Sequence, residues 1–108
     1  KQVEEHVWLL ALNAKLKPVG VFEVSHGSRE ASACGMREIF MRLCLCGASA
    51  FTIVHNHPTG DCFPSKEDRQ ITETLKNAAE LMQIKFLDHI IIGAGEFYSF
   101  TENKNNTK

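Results

Sequence analysis

Apolar and polar positions follow two different periods along this chain, and each change of period marks an element. "VWLLAL" at 7–12 is an almost unbroken apolar run, too short to favour a helix and suited to a buried strand. A polar turn, "NAKLKP" at 13–18, leads to "VGVFEV" at 19–24, and the two runs read as a hairpin. Residues 25–32, "SHGSREAS", read as loop. Met36, Ile39, Phe40 and Leu43 then recur at i, i+3, i+4 and i+7, the stripe of an amphipathic helix that Gly47 is placed to end.

"AFTIVH" at 50–55 is a third strand, closed by a turn cluster at Pro58, Thr59, Gly60 and Asp61. From Ser65 to about Gln83, Ile71, Leu75, Ala78 and Met82 make a second helical stripe. "IKFLDHIIIG" (84–93) and "EFYSF" (96–100) return to strand, separated by a turn at Ala94–Gly95. The order β-β-α-β-α-β-β predicts an α/β chain of the α+β type, a mixed sheet packed with two main helices. One domain over residues 1–102 is expected, with 103–108 as a frayed polar tail.

Composition narrows this rather than changing it. A chain of 108 residues is one domain by size. It can build a core without disulfides or a structural metal. No apolar run approaches the ~20 residues of a membrane span and no signal peptide is recognisable, so a cytoplasmic, non-membrane protein is expected. The net charge of -1 argues against this domain gripping nucleic acid by its phosphates, which calls for a basic excess. Cys44 and Cys46 are spaced C-x-C on a helix, where they point apart, so the cysteines read as thiols rather than zinc ligands. The sequence leaves monomer and homodimer open.

The chemistry gathers in "HNHPTGDCFPSKED" (55–68). In extended backbone, residues i and i+2 share a side, so His55 and His57 project together from the strand end and can share one ion. Ser65 and Asp68 form a Ser-x-x-Asp that reads first as an N-cap and capping box. Yet Asp68 stands three residues before Ile71 and seven before Leu75, on the buried stripe, where a carboxylate needs a partner and a cation is one. Spacing alone leaves both readings open, a metal site or a capped helix beside two histidines. Two histidines and a carboxylate would leave a zinc position for water, the arrangement of a catalytic site. Among Glu4, Glu5, Glu23, Asp88 and Glu96, spacing does not choose a general base. The letters "HNH" do not supply the nuclease motif, whose residues are dispersed, and the Pro-Cys-x-x-Cys of zinc deaminases is missing. Asp88, His89, His6 and His26 read as hydrogen-bonded or surface residues, and Cys62 is the one cysteine inside the stretch.

The pattern His55-x-His57-x7-Ser65-x2-Asp68 resembles the signature of the JAMM, or MPN-plus, metalloprotease domains. With "FLDHIIIG" and "YSF", residues 5–102 resemble the bacterial RadC-like branch, whose members carry the label DNA repair protein RadC. The resemblance implies the MPN/JAMM (cytidine-deaminase-like) architecture. It implies one Zn2+ per chain held by His55, His57 and Asp68, Glu5 as general base and proton shuttle, and Ser65 as hydrogen-bond donor to the oxyanion. It also implies hydrolysis of a peptide or isopeptide bond in a peptide or protein substrate. Thr59 stands where the family usually has Ser, and Met36-Arg37 where it has Pro-Arg. The helix-hairpin-helix region that commonly precedes the domain is not in this sequence, and a nucleic-acid role would come through it. The rival expectation is a non-catalytic or weakly catalytic binding or scaffold module in DNA repair. Hydrolysis of a non-peptide amide shares the same zinc chemistry.

Overall fold

The unbroken apolar run at 7–12 belongs to a strand flanked on both edges. In the computed structural model, which describes residues 5–26, 31–102 and 104–107, β1 (His6–Leu12) pairs antiparallel with β2 (Pro18–His26) and with β3 (Ala50–Asn56). Helix α1 (Ala31–Leu45) lies between β2 and β3 in sequence. Helix α2 (Lys66–Met82) carries the chain back so that β4 (Lys85–Ile92) pairs parallel with β3, a connection a tight hairpin cannot make. β5 (Glu96–Ser99) and β6 (Lys104–Thr107) add antiparallel to complete a six-stranded mixed sheet, ordered β2-β1-β3-β4-β5-β6.

Both helices cover the same face of this sheet. Leu9, Ala11, Val24, Phe51 and Ile53 from the strands meet Ile39 and Leu43 of α1 and Leu75 and Ala79 of α2 in one buried cluster. Each large side chain so enclosed is worth about 1.5–3 kcal/mol relative to exposure. The period of two along β3 carries this buried face to the strand's end. Phe51, Ile53 and His55 are buried against the helices while Thr52, Val54 and Asn56 are only half-buried, so the apolar face of the strand ends in a histidine.

α2 begins at a capping box and ends on Gln83, in the left-handed region at φ 59°, whose N–H returns to the carbonyls of Ala79 and Glu80. α1 is followed by Gly47 at φ 69°, as the sequence anticipates. Ser25 and His26 extend β2 and Ala31 and Ser32 open α1, so both ends of the loop expected over 25–32 are strand and helix; residues 27–30 lie outside those described.

The tail departs from expectation. Within 103–108, expected to fray, Lys104–Thr107 forms β6 and pairs from Glu96↔Thr107 to Ser99↔Lys104. "KNNT" carries no apolar signal because an edge strand can be held by main-chain hydrogen bonds to the open edge of β5 alone. No helix among the described residues is long and apolar enough to cross a membrane.

Candidate metal centre

The site forms where β3 ends, because the chain there is tied down on two sides. The His57 N–H donates to the Ile92 carbonyl at 3.1 Å, and the Gly60 N–H returns to the His57 carbonyl at 3.0 Å. The Ala94 N–H then donates to the Gly60 carbonyl at 2.8 Å, strapping this turn to the β4–β5 turn. Close approach is the reason for glycine at 93: a Cβ there would meet the Gly60 carbonyl oxygen at 2.4 Å. Opposite, Ser65 caps α2. Its Oγ accepts from the Asp68 N–H at 3.1 Å, and its own N–H donates to Asp68 Oδ2 at 2.8 Å. That reciprocal pair fixes the Asp68 carboxylate against the strand end.

His55, His57 and Asp68 therefore converge, each offering a ligand atom within 4.8 Å of the others. His57 Nε2 lies 2.9 Å from Asp68 Oδ2, and His55 Nε2 lies 3.3 Å from Oδ1. His57 Nδ1 is 2.8 Å from the Asp61 carbonyl oxygen, which can only accept. Nδ1 thus carries hydrogen, and the neutral ring presents a bare Nε2 to the carboxylate. Two acceptors at 2.9 Å require a proton or a cation between them.

The charge states reflect this crowding. The hydrogen bond to Asp68 raises the His57 pKa above the ordinary histidine value; burial opposes the rise, while the Asp61 carbonyl and the charges of Asp68 and Glu5 assist it. Burial works against ionisation of Asp68, but the two imidazoles at its oxygens and the Ser65 N–H outweigh that cost. They hold its carboxyl well below the usual carboxylate range. The decisive atom is His55 Nε2. It is buried and makes no hydrogen bond of good geometry, although His55 itself is only 3 % exposed. A buried, unsatisfied ring nitrogen aimed at a carboxylate and a second imidazole is a site for a shared cation. Two imidazoles and one carboxylate are donors that suit zinc and related divalent metals.

The remaining residues singled out in the sequence fall into three groups. Glu5, just ahead of β1, brings Oε2 to 3.8 Å from His55 Nε2 and is partly open to solvent. Ser65 is exposed at the same rim. Other acids are engaged elsewhere: Glu23 pairs with His6, and Asp88 accepts from Ser99 Oγ and from the N–H groups of His89 and Thr101. Glu96 neighbours the Cys62 thiol, and Glu4 lies outside the described residues. Cys62 is fully buried against Ile91 and Tyr98, its thiol raised by burial and by Glu96, and it is not in the donor group. Cys44, Cys46 and Cys62 form no disulfide.

Sequence reasoning gave no role at the site to His89 or Thr72. His89 is buried on β4, with Nε2 2.9 Å from His55 Nδ1 and Nδ1 2.6 Å from Thr72 Oγ1. Burial pushes its pKa down to about 3, aided by the charge of His55. One signal was available: Ile91 follows His89 by two on an apolar strand, so both face the core, where an imidazole must find partners.

Comparison with known proteins bears on identity. A family model described as RadC-like JAB domain matches residues 1–105. A UPF0758 protein of Chlorobium phaeovibrioides is 44 % identical over 102 residues, covering 94 % of this chain and 46 % of the relative. Another from Pelobacter propionicus is 47 % identical over 98 residues, covering 91 % and 43 %. The chain thus spans under half the length of these curated relatives. A match to that model over nearly every residue makes the chain a member of the RadC-like JAB domain family.

Proposed function

We propose that this domain is a zinc-dependent hydrolase of peptide or isopeptide bonds. The observation that carries the reading is the buried, unsatisfied Nε2 of His55, converging with His57 Nε2 on the Asp68 carboxylate. His55, His57 and Asp68 would hold the metal. Bound there, zinc supplies Lewis acidity, making water acidic near neutral pH and polarising a carbonyl.

The other roles belong to the chain's own groups. Glu5 is the acid at the donor cluster that no ligand role consumes, 3.8 Å from His55 Nε2 and partly hydrated, suited to take a proton from water and return it to a leaving amine. Ser65 Oγ spends a lone pair on the Asp68 N–H, which leaves its hydroxyl proton to donate outward to a developing oxyanion. JAB domains at large, of which this family is a RadC-like branch, include metalloproteases, and that supports the reaction class. Substrate and cellular setting belong to the longer proteins that carry such a domain.

Metal analysis of the purified chain should return about one zinc per molecule, lost in His57→Ala with the fold retained; a folded wild type that takes up none sinks the reading. Glu5→Gln should keep zinc and lose hydrolysis of a peptide or isopeptide substrate. An unchanged rate would move the base elsewhere. Zinc binding with no hydrolysis of any amide would favour the binding-module alternative.

A further inference from the structure

Thr72 and His89 are buried beside the donor cluster, yet the proposed hydrolysis gives them no work. Their hydrogen bonds can be assigned by counting protons. Thr72 Oγ1 lies 2.8 Å from the Asp68 carbonyl oxygen and 2.6 Å from His89 Nδ1. A carbonyl only accepts, so the single hydroxyl proton of Thr72 goes to Asp68. The contact with His89 then needs its hydrogen on Nδ1, donated to the Thr72 oxygen.

The other nitrogen of His89 decides the state of His55. His89 is 1 % exposed and stacked on Phe100 at 4.7 Å between ring centroids and 13° between planes. Its two ring nitrogens meet Thr72 and His55, and no carboxylate among the described residues is at hydrogen-bond distance of the ring. Such surroundings favour the neutral ring over the cation. With its hydrogen on Nδ1, the neutral ring offers a lone pair at Nε2. That lone pair faces His55 Nδ1 at 2.9 Å, so His55 must donate from Nδ1. The hydrogen of His55 is thereby held on the side away from the carboxylate, and the unsatisfied Nε2 is left bare.

We propose that Thr72 and His89 act as a positioning relay, fixing the Nδ1–H tautomer of His55 so that its Nε2 lone pair points at the metal. Phe100 serves the relay by stacking on the His89 ring, and Asp88 holds that segment through Ser99 Oγ and the Thr101 N–H. The relay also couples the helix to the strand. The Thr72 hydroxyl returns to the carbonyl of Asp68, so one chain of hydrogen bonds runs from a proposed ligand on α2, through Thr72 and His89, to a proposed ligand on β3. Supporting partners of this kind orient the ligand and set its basicity. The relay rests on the proposed metal site.

The test uses zinc itself, in competition with a chromophoric chelator, on the full chain and three variants. His89→Leu, which removes the acceptor, should weaken zinc about 10- to 100-fold. His89→Gln, which keeps an acceptor near the place of Nε2, should recover most of that loss, and Thr72→Val should cost a smaller factor. A readout that mere packing would not move is the tautomer of His55 in metal-free protein, from ring nitrogen shifts above the histidine titration range. Wild type should show a protonated Nδ1 and a bare Nε2, and Thr72→Val should shift that balance even if His89→Leu fails to fold. Wild type with hydrogen on Nε2 of His55, or folded His89→Leu and Thr72→Val with unchanged zinc affinity, overturns the relay alone. Wild type that binds no zinc overturns the metal site and the relay with it.

Discussion

Phe51 and His55 stand four residues apart on β3, face the same side of the sheet and are both buried, but their surroundings make opposite demands. Phe51 meets the rings of Phe40 and Phe86 inside the cluster that also holds Leu9, Ile53 and Leu75, and enclosure by itself is favourable. Around His55 they are His57, Asp68 and His89, and enclosure is favourable only when each nitrogen and oxygen finds a partner. The apolar region meets that demand by packing alone. The polar region meets it with a capping box, a backbone carbonyl and a buried threonine, and still leaves one nitrogen over. Stability belongs to the first region, and ligand chemistry to the residue the second leaves unsatisfied.

That division can be broken by substitutions that ought to act on one region only. Asp68→Asn keeps an oxygen for the Ser65 N–H but removes the charge that binds a cation. Zinc affinity should fall by more than the ~10- to 100-fold typical of a supporting residue. The thermal transition should drop with the chain still folded, because the lowered Asp68 pKa means that the ionised carboxylate stabilises the fold at neutral pH. Next comes Phe51→Ala, which should cost about 3–5 kcal/mol of stability, a large share of the ~5–15 kcal/mol of a domain this size. Its folded fraction should still bind one zinc, as denaturant unfolding and metal analysis together would show. Loss of zinc in folded Phe51→Ala would mean that the two regions are coupled.

Acid should act on the polar region through His57. Its pKa is raised, so as pH falls through that value a proton occupies Nε2 and competes with metal. Zinc affinity should therefore weaken toward low pH, by about tenfold per pH unit for each proton displaced. The weakening should begin above the ordinary histidine range, and chelator competition across neutral pH reads it. The smallest effect is expected at Ser65, which belongs to both regions as cap and as rim. Ser65→Ala should lower stability by about 1 kcal/mol through the lost cap and leave zinc bound, measured by urea unfolding with and without metal.

Much of this architecture is legible in the order of residues. The strand–helix order comes from apolar periods that burial on one face imposes. Two local rules singled out the donor candidates: i and i+2 share a side of a strand, and a Ser-x-x-Asp opens a helix. These rules left a capped helix equally open, and the resemblance to the JAMM signature implied the metal site. β6 was not legible, because its pairing uses main-chain groups that carry no side-chain signal. Gln83 ends α2 without the glycine or asparagine that usually announces such a turn. Among the candidate acids, spacing was silent. The β1–β3 register, with Val7↔His55 and Leu9↔Ile53, puts Glu5 on the parity of the donor face, while Glu23 and Asp88 are spent on other partners.

The sequence by itself determined what is local: the elements with an apolar period, that His55 and His57 share a side of the third strand, and that Ser65 and Asp68 open the second helix a few residues later. Only the tertiary structure decided what stands around them. Glu5, Thr72 and His89 come from the start of β1, α2 and β4, and their approach depends on strand register and helix docking, which are set by the whole core rather than by any window of the chain. Protonation is decided there too. A buried imidazole carries its hydrogen where its neighbours can accept it, and those neighbours are distant in sequence.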